Sequence, residues 1–390
     1  PSPARRGHSS ILFEFQDHSR RYWSRFDRRA QQWSRSPGRP GGYSLVLYAQ
    51  VDGGFTVWDP LRNVWRSSGF VEKEARQPAF VFTPREVWDG LKVGETQLCN
   101  GLVTDWALWQ KEDGESFARL RRMLAALAPS RSESLDPGDL TKLSVDDARW
   151  MPTLITAYGD EVPLVHASAA VRRIVALAYL LLWSWEEHLR AVTLLDQPPV
   201  HSVTLLIDEV ECHLHPRWQR TIVSSLFEIL RALAGEVEVQ MIAATHSPLV
   251  LASVEPFFDL GRDAWFDLDL EPRGERREVV LRRRQFVRRG DVSNWLTSEA
   301  FDLRAARSLE SEQVLEEAAR ALSDESFDQA AARELELKLR GVLGDTDPFW
   351  TRWRFVGERR GWLPGSNGDT ASGRRLSPRS KKTRKRRGGA

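Results

Sequence analysis

The 390-residue chain is 41% hydrophobic and 28% charged, the balance of a folded globular protein rather than a disordered one. Its net charge of +2 hides an asymmetry: nine of the 56 basic groups fall within residues 374–387, which hold no acid, so the rest of the sequence is acidic on balance. Two cysteines exclude a disulfide framework, and the longest apolar stretch, Ile174–Trp185, has 12 residues where a bilayer span needs roughly 20.

No N-terminal run of charged, apolar and small residues marks a signal peptide, so the expected location is cytoplasmic, with no membrane partner. Residues 1–40 are rich in Arg and Ser and end in Ser36-Pro37-Gly38-Arg39-Pro40-Gly41-Gly42, a turn or linker signal. Ser44–Gln50, Gly53-Gly54 and Phe55–Trp58 then read as a β-hairpin, and Ala79–Thr83 as a further strand. From residue 116 the period changes. Phe117, Leu120, Met123, Leu124 and Leu127 share one helical face, and Pro129 ends the run.

Val203–Ile207 is a continuous apolar strand. Pro216 then opens a helix whose Ile222, Leu226, Ile229, Leu230 and Leu233 line one face, Gly235 closes it, and Met241–Ala244 is a second buried strand. Strand, helix and strand at this spacing make a βαβ unit with a parallel pair. Further on, Ala264–Leu270 and Glu278–Arg282 flank a Pro272-Arg273-Gly274 turn, and Ser308–Leu322 and Gln329–Leu343 are amphipathic helices.

The Val203–Ile207 strand stops on Asp208-Glu209. Open α/β sheets bind ligands at the carboxyl ends of their strands, so two adjacent acids there sit at a ligand edge. Their side chains diverge, which allows one to face a hydrated Mg²⁺ and the other an attacking water. An acidic turn with no ligand is the plain alternative for the pair taken alone.

The longer run Asp208-Glu209-Val210-Glu211-Cys212-His213-Leu214-His215-Pro216 resembles the Walker B and D-loop of ABC-type, AAA-like ATPases of the RecF/OLD/Rad50 group. Ala244-Thr245-His246-Ser247-Pro248, ending the next strand, matches that family's H-loop. His166-Ala167-Ser168-Ala169-Ala170, ahead of an apolar helix, resembles its signature motif, with alanines where the family has glycines. A helix start offers free N–H groups and a positive dipole to phosphate oxygens, which suits that role. The Glu211–His215 cluster lacks the four spaced donors of a zinc site and fits the D-loop better.

The resemblance implies an α/β P-loop NTPase with a mixed sheet, a helical subdomain and a C-terminal α+β extension. It divides the chain into a β-rich lobe over 1–110, a helical subdomain over 111–150, the core over 151–260, the extension over 261–364 and a disordered basic tail over 365–390. It also implies ATP as substrate with Mg²⁺. Asp208 would hold the metal, Glu209 would polarise water, and His246 would sense the γ-phosphate. Ser168 would meet the nucleotide of a second subunit in a homodimer with ATP at the interface. Gln110 is the choice for the Q-loop, with Gln97 as its rival. DNA and a neighbouring effector protein are the further partners left open, in DNA-related or anti-phage defence.

One element is lacking. The phosphate-cradling Gly-x-x-x-x-Gly-Lys-Ser/Thr does not occur, and no lysine follows a glycine. With Pro1 as first residue, the expectation is that an upstream segment carries it. A catalytically inactive interaction protein on an ATPase fold is the alternative.

Overall fold

The computed structural model describes residues 10–14, 21–27, 29, 32–33, 44–63, 79–130, 132–274 and 276–362. The linker signal at 36–42 and the basic tail at 365–390 lie outside the described residues. The chain divides into two compact units, Pro1–Val292 and Ser293–Ala390.

The first unit is built on a mixed five-stranded sheet. Its order is Glu238–Ala243, Ser202–Ile207, Ser44–Ala49, Phe55–Trp58 and Phe80–Phe82. The first three strands run parallel and the last two antiparallel. Leu205 stands opposite Met241 on one side and Leu47 on the other, so the strand that ends in Asp208-Glu209 has paired neighbours on both sides. Period-2 alternation sends Leu45, Leu47, Phe55, Val57, Val203, Leu205 and Ile207 to one face, where all are buried. The hairpin expected at Ser44–Trp58 is present, with Gly53 at φ 90° in its turn, a conformation that favours glycine.

Helices cover that buried face. Ala169–Leu195 is buried along most of its length, from Ile174 through Trp185. Glu115–Leu127 buries Phe117, Leu120, Met123, Leu124 and Leu127, the five positions its spacing picks out. Ile222–Ala234 completes the cover through Leu226, Ile229 and Leu230, and all three helices share one apolar core with the sheet.

Two local expectations need correction. The helix opened by Pro216 is not continuous: a single turn, Pro216–Gln219, breaks at Arg220-Thr221 before Ile222–Ala234 begins. The break turns Trp218 inward, where its Nε1 donates to the Leu127 carbonyl at 2.9 Å. Second, the strand read as Met241–Ala244 spans Glu238–Ala243 and is an edge of the described sheet rather than a buried strand. Ile242 is 53% exposed there, and Ala243 and Ala244 are exposed as well. Apolarity gave the strand but not its position, because a buried and an edge strand of this length read alike.

A long two-stranded ribbon, Trp265–Arg273 with Arg276–Arg284, follows, turning at Gly274 with φ 63°. The second unit is helical. Leu309–Ser323, Gln329–Val342 and Phe349–Arg359 close on Ala318, Leu335, Leu339, Trp350, Trp353 and Trp362. Asp347 accepts from the Phe349 backbone N–H at 2.9 Å and pairs with Arg307, the work of a helix-start acid.

Candidate active site

The site is assembled where the three parallel strands end. The Asp208 N–H donates to the Ala49 carbonyl at 3.0 Å, and the Ala244 N–H to the Ile207 carbonyl at 2.9 Å, so the ladder holds to the last residue of each strand. The chain then turns sharply. Glu209 takes φ 45° and His213 φ 63°, left-handed conformations that non-glycine residues adopt at a cost of about 1 kcal/mol or more and keep where neighbours enforce them. Two backbone bonds hold the turn, one within it and one to the neighbouring strand end: the Cys212 N–H donates to the Glu209 carbonyl at 2.8 Å, and the Val210 N–H to the Ala244 carbonyl at 3.2 Å.

His246 and Glu209 come together across the two strand ends, with His246 Nε2 3.9 Å from Glu209 Oε1. The imidazole is 85% exposed and the carboxylate 42%, so both face solvent and are open to a ligand. Asp208 is half-buried beside them, and among the described residues its carboxylate has no hydrogen bond or ion pair. Two carboxylates on a strand end are hard oxygen donors, the set that Mg²⁺ takes together with water and phosphate.

Glu211, which the sequence marks only as part of the D-loop run, binds the His246 loop through its carboxylate. Oε2 accepts from Thr245 Oγ1 at 2.6 Å and Oε1 from the His246 N–H at 2.5 Å. Ser247 continues the fastening. Its Oγ donates to Gln219 Oε1 at 2.7 Å and accepts the N–H groups of Leu249 and Val250, capping the Pro248–Val254 helix. Gln219 Nε2 in turn donates to the Leu214 carbonyl at 2.9 Å.

Ser168 is the N-cap of the long helix, with Oγ accepting from the Val171 N–H at 3.3 Å. Five residues on, Arg173 reaches the site turn directly. Its Nη1 donates to the Val51 carbonyl at 2.6 Å, and Nη2 to the carbonyls of Asp208 and Glu209 at 3.2 and 3.4 Å. No sequence signal marks Arg173, because Arg172 and Arg173 together look like a solvated helix start.

Gln110 lies inside the Leu102–Glu112 helix, and both ends of its amide are engaged. Oε1 accepts from Trp106 Nε1 at 2.9 Å, and Nε2 donates to the Gly138 carbonyl at 2.8 Å. Its rival Gln97 donates to the Cys99 carbonyl at 2.6 Å. Among the described residues, neither amide hydrogen-bonds Asp208, Glu209 or His246.

Residues 111–252 match the family model described as "AAA domain, putative AbiEii toxin, Type IV TA system". Over these residues the chain is similar to an AAA domain. The match runs from the end of the Leu102–Glu112 helix into the helix after His246, so the matched segment contains Ser168, Arg173, Asp208, Glu209 and His246. A curated relative, the "Retron Vc95 probable ATPase" of Vibrio cholerae serotype O1 biovar El Tor, is 28% identical over 120 residues, covering 30% of this chain and 21% of that protein. The chain thus spans about a fifth of that relative's length. Among solved structures, "Crystal structure of the SmcHead bound to the C-winged helix domain of ScpA" overlaps 46% of this chain and 48% of that one, at 15% identity and a TM-score of 0.26. Within the described residues no helix is long and apolar enough to cross a membrane.

Proposed function

We propose that the AAA-type segment is the metal- and water-handling half of an ATP-hydrolysing site. The observation that carries this reading is the convergence of Asp208, Glu209 and His246 on one edge, with 3.9 Å between Glu209 and His246. In-line attack on a phosphoryl group needs positioning and charge stabilisation more than covalent chemistry. In this reading Asp208 holds Mg²⁺, which neutralises phosphate charge when bound. Glu209 accepts a hydrogen bond from the attacking water, and its held backbone turn fixes the direction from which that water approaches. His246, tethered by Glu211 through its own N–H, presents its ring to the γ-phosphate. Ser168 meets the nucleotide of a second copy in a homodimer with ATP at its interface. Gln110 contributes to nucleotide binding only if its two internal hydrogen bonds open.

The phosphate cradle is absent from the 390 residues, and the sheet leaves room for it. Parallel strands are ordinarily covered on both faces. Here the second face carries Val46, Tyr48 and Leu206 half-buried and Ile242 53% exposed, and Glu238–Ala243 has an open edge among the described strands. A strand, loop and helix added at that edge would bring their loop beside Asp208 and Glu209. The toxin–antitoxin and retron names of the matched family and relative support a place in anti-phage defence, and in this reading DNA or a neighbouring effector is the target of the ATP cycle.

The deciding experiment uses the protein expressed from its complete reading frame. Glu209→Gln is expected to bind ATP as the parent does and to lose steady-state phosphate release. Undiminished release would remove Glu209 from its role. The second reading, a non-catalytic interaction protein, is favoured by the lack of Gly-x-x-x-x-Gly-Lys-Ser/Thr. It gains if the in-frame upstream sequence also lacks that motif and the parent protein binds no ATP.

A further inference from the structure

The ribbon Trp265–Arg273/Arg276–Arg284 has its alternation turned inside out. Directly opposed residues of an antiparallel pair share a face. One face holds Trp265, Asp267, Asp269 and Glu271 with Arg284, Arg282 and Val280, and it is the more covered one. Its acids are paired there: Arg284 Nη2 lies 3.3 Å from Asp267 and 3.4 Å from Asp269, and Arg282 pairs with Glu271. The opposite face holds Phe266, Leu268 and Leu270 against Arg283, Leu281 and Val279. Those five apolar side chains are between 51% and 69% exposed.

An exposed row of this kind is unusual on a free surface. Soluble proteins rarely show contiguous apolar patches beyond a few hundred Å², and a two-stranded ribbon alone is marginal in water. The ribbon is also well rooted, which argues against a loose segment. Phe286 stacks on Phe258 with ring centroids 3.9 Å apart, and Glu255 accepts the N–H groups of Arg289 and Gly290 at 2.7 and 3.1 Å. A rigid stalk presenting leucines outward is built to dock.

The charges choose the occupant. Arg283 and Arg277, opposite Phe266 and Pro272, sit at the two ends of the apolar row, about 20 Å apart at strand spacing. No acid shares the face, and among the described residues neither arginine has an ion pair. A second copy laid face to face would set arginines against arginines in either orientation. A nucleic acid would leave the leucines wet, and Trp265, the residue suited to a lipid interface, points the other way. We infer that this face docks a segment of a different protein that is apolar along its centre and rimmed by carboxylates.

The test uses two designed 20-residue helical peptides with leucines along one face, flanked by glutamates in one and by lysines in the other. Binding of fluorescein-labelled peptide to the full 390-residue chain is read by anisotropy. The glutamate peptide is expected to bind at least tenfold more tightly than the lysine peptide and to weaken with salt. The solvent-facing double variant Leu268→Ser/Leu281→Ser, with circular dichroism unchanged, is expected to lose at least tenfold, and Arg277→Glu/Arg283→Glu to reverse the peptide preference. Equal binding of the two peptides, or binding unaffected by both double variants, overturns the inference. So does absence of binding, or a concentration-dependent dimer that Leu268→Ser/Leu281→Ser dissolves. Capture by anionic vesicles or duplex DNA that competes with the glutamate peptide also overturns it.

Discussion

Arg173 donates from one nitrogen to the carbonyl oxygens of both Asp208 and Glu209, at 3.2 and 3.4 Å. Its other nitrogen holds the Val51 carbonyl, so one guanidinium joins the turn after the hairpin strand to the turn after the central strand. Because Arg173 lies five residues beyond Ser168 on the same helix, a displacement of that helix start pulls on the backbone that carries the two acids.

Charge-assisted bonds to backbone carbonyls of this kind are worth about 1–3 kcal/mol together at a half-exposed site. Arg173→Ala is therefore expected to lower the urea midpoint by that order. Arg173→Lys should recover only part of it, because one ammonium cannot span carbonyls on two turns. Equal stability of the three proteins would show that the fork carries no net weight.

Glu211 makes a second, separate claim. Its two oxygens hold Thr245 Oγ1 and the His246 N–H, and the strained turn at Glu209 precedes it by two residues. Glu211→Gln keeps the shape but loses the charge that strengthens both bonds, and with one oxygen left for the His246 N–H the Thr245 hydroxyl must turn from donor to acceptor. Expected is a loss of about 1–2 kcal/mol in stability, with faster hydrogen exchange at the amide of His246. Unchanged exchange there would free the His246 loop from Glu211.

Much of this was readable in the chain. Asp208-Glu209 could be placed at a strand end because an unbroken apolar run stopped on two acids, and His246 because a second strand led to it. The five buried positions of Glu115–Leu127 followed from period alone. What escaped had a common cause. Arg173 and Glu211 act through backbone groups of segments distant in sequence, and no local pattern marks such bonds. The edge position of Glu238–Ala243 depends on which strands lie beside it, which period does not encode. Gln110 was chosen by its place before a helix, whereas its amide is fixed by Trp106 and by the Gly138 carbonyl, 28 residues on.

The two cysteines should differ in reactivity. Burial pushes the Cys99 thiol up to about 12, and the side chain is 3% exposed beside the Tyr179 hydroxyl at 3.0 Å. Cys212 is half-buried in the turn after Glu211. At pH 8 the native protein is expected to label with iodoacetamide at Cys212 and, at less than about a hundredth of that rate, at Cys99, since the thiolate is the reactive form. Both should label in urea. Peptide mapping of the native protein checks this, and comparable labelling at Cys99 would mean that its site opens readily.

Asp105 supplies the pH-dependent prediction. It is 6% exposed, and burial raises its pKa above the ordinary carboxylate range, opposed by hydrogen bonds from Asn100 Nδ2 at 2.8 Å and the Tyr179 hydroxyl at 2.7 Å. A carboxyl with a raised folded pKa binds more protons folded than unfolded. Its contribution is then fully present below the unfolded value of 3.8 and is lost as pH rises through the folded value. Asp105→Asn removes the titration while keeping one acceptor for Asn100 or Tyr179. The difference in unfolding free energy between parent and variant should therefore shift in the variant's favour as pH rises from about 4 towards neutrality. Urea unfolding of both proteins across that range measures it. A difference that stays flat would mean that Asp105 titrates alike in the folded and unfolded chains, and a difference of opposite slope would mean that its two donors outweigh its burial.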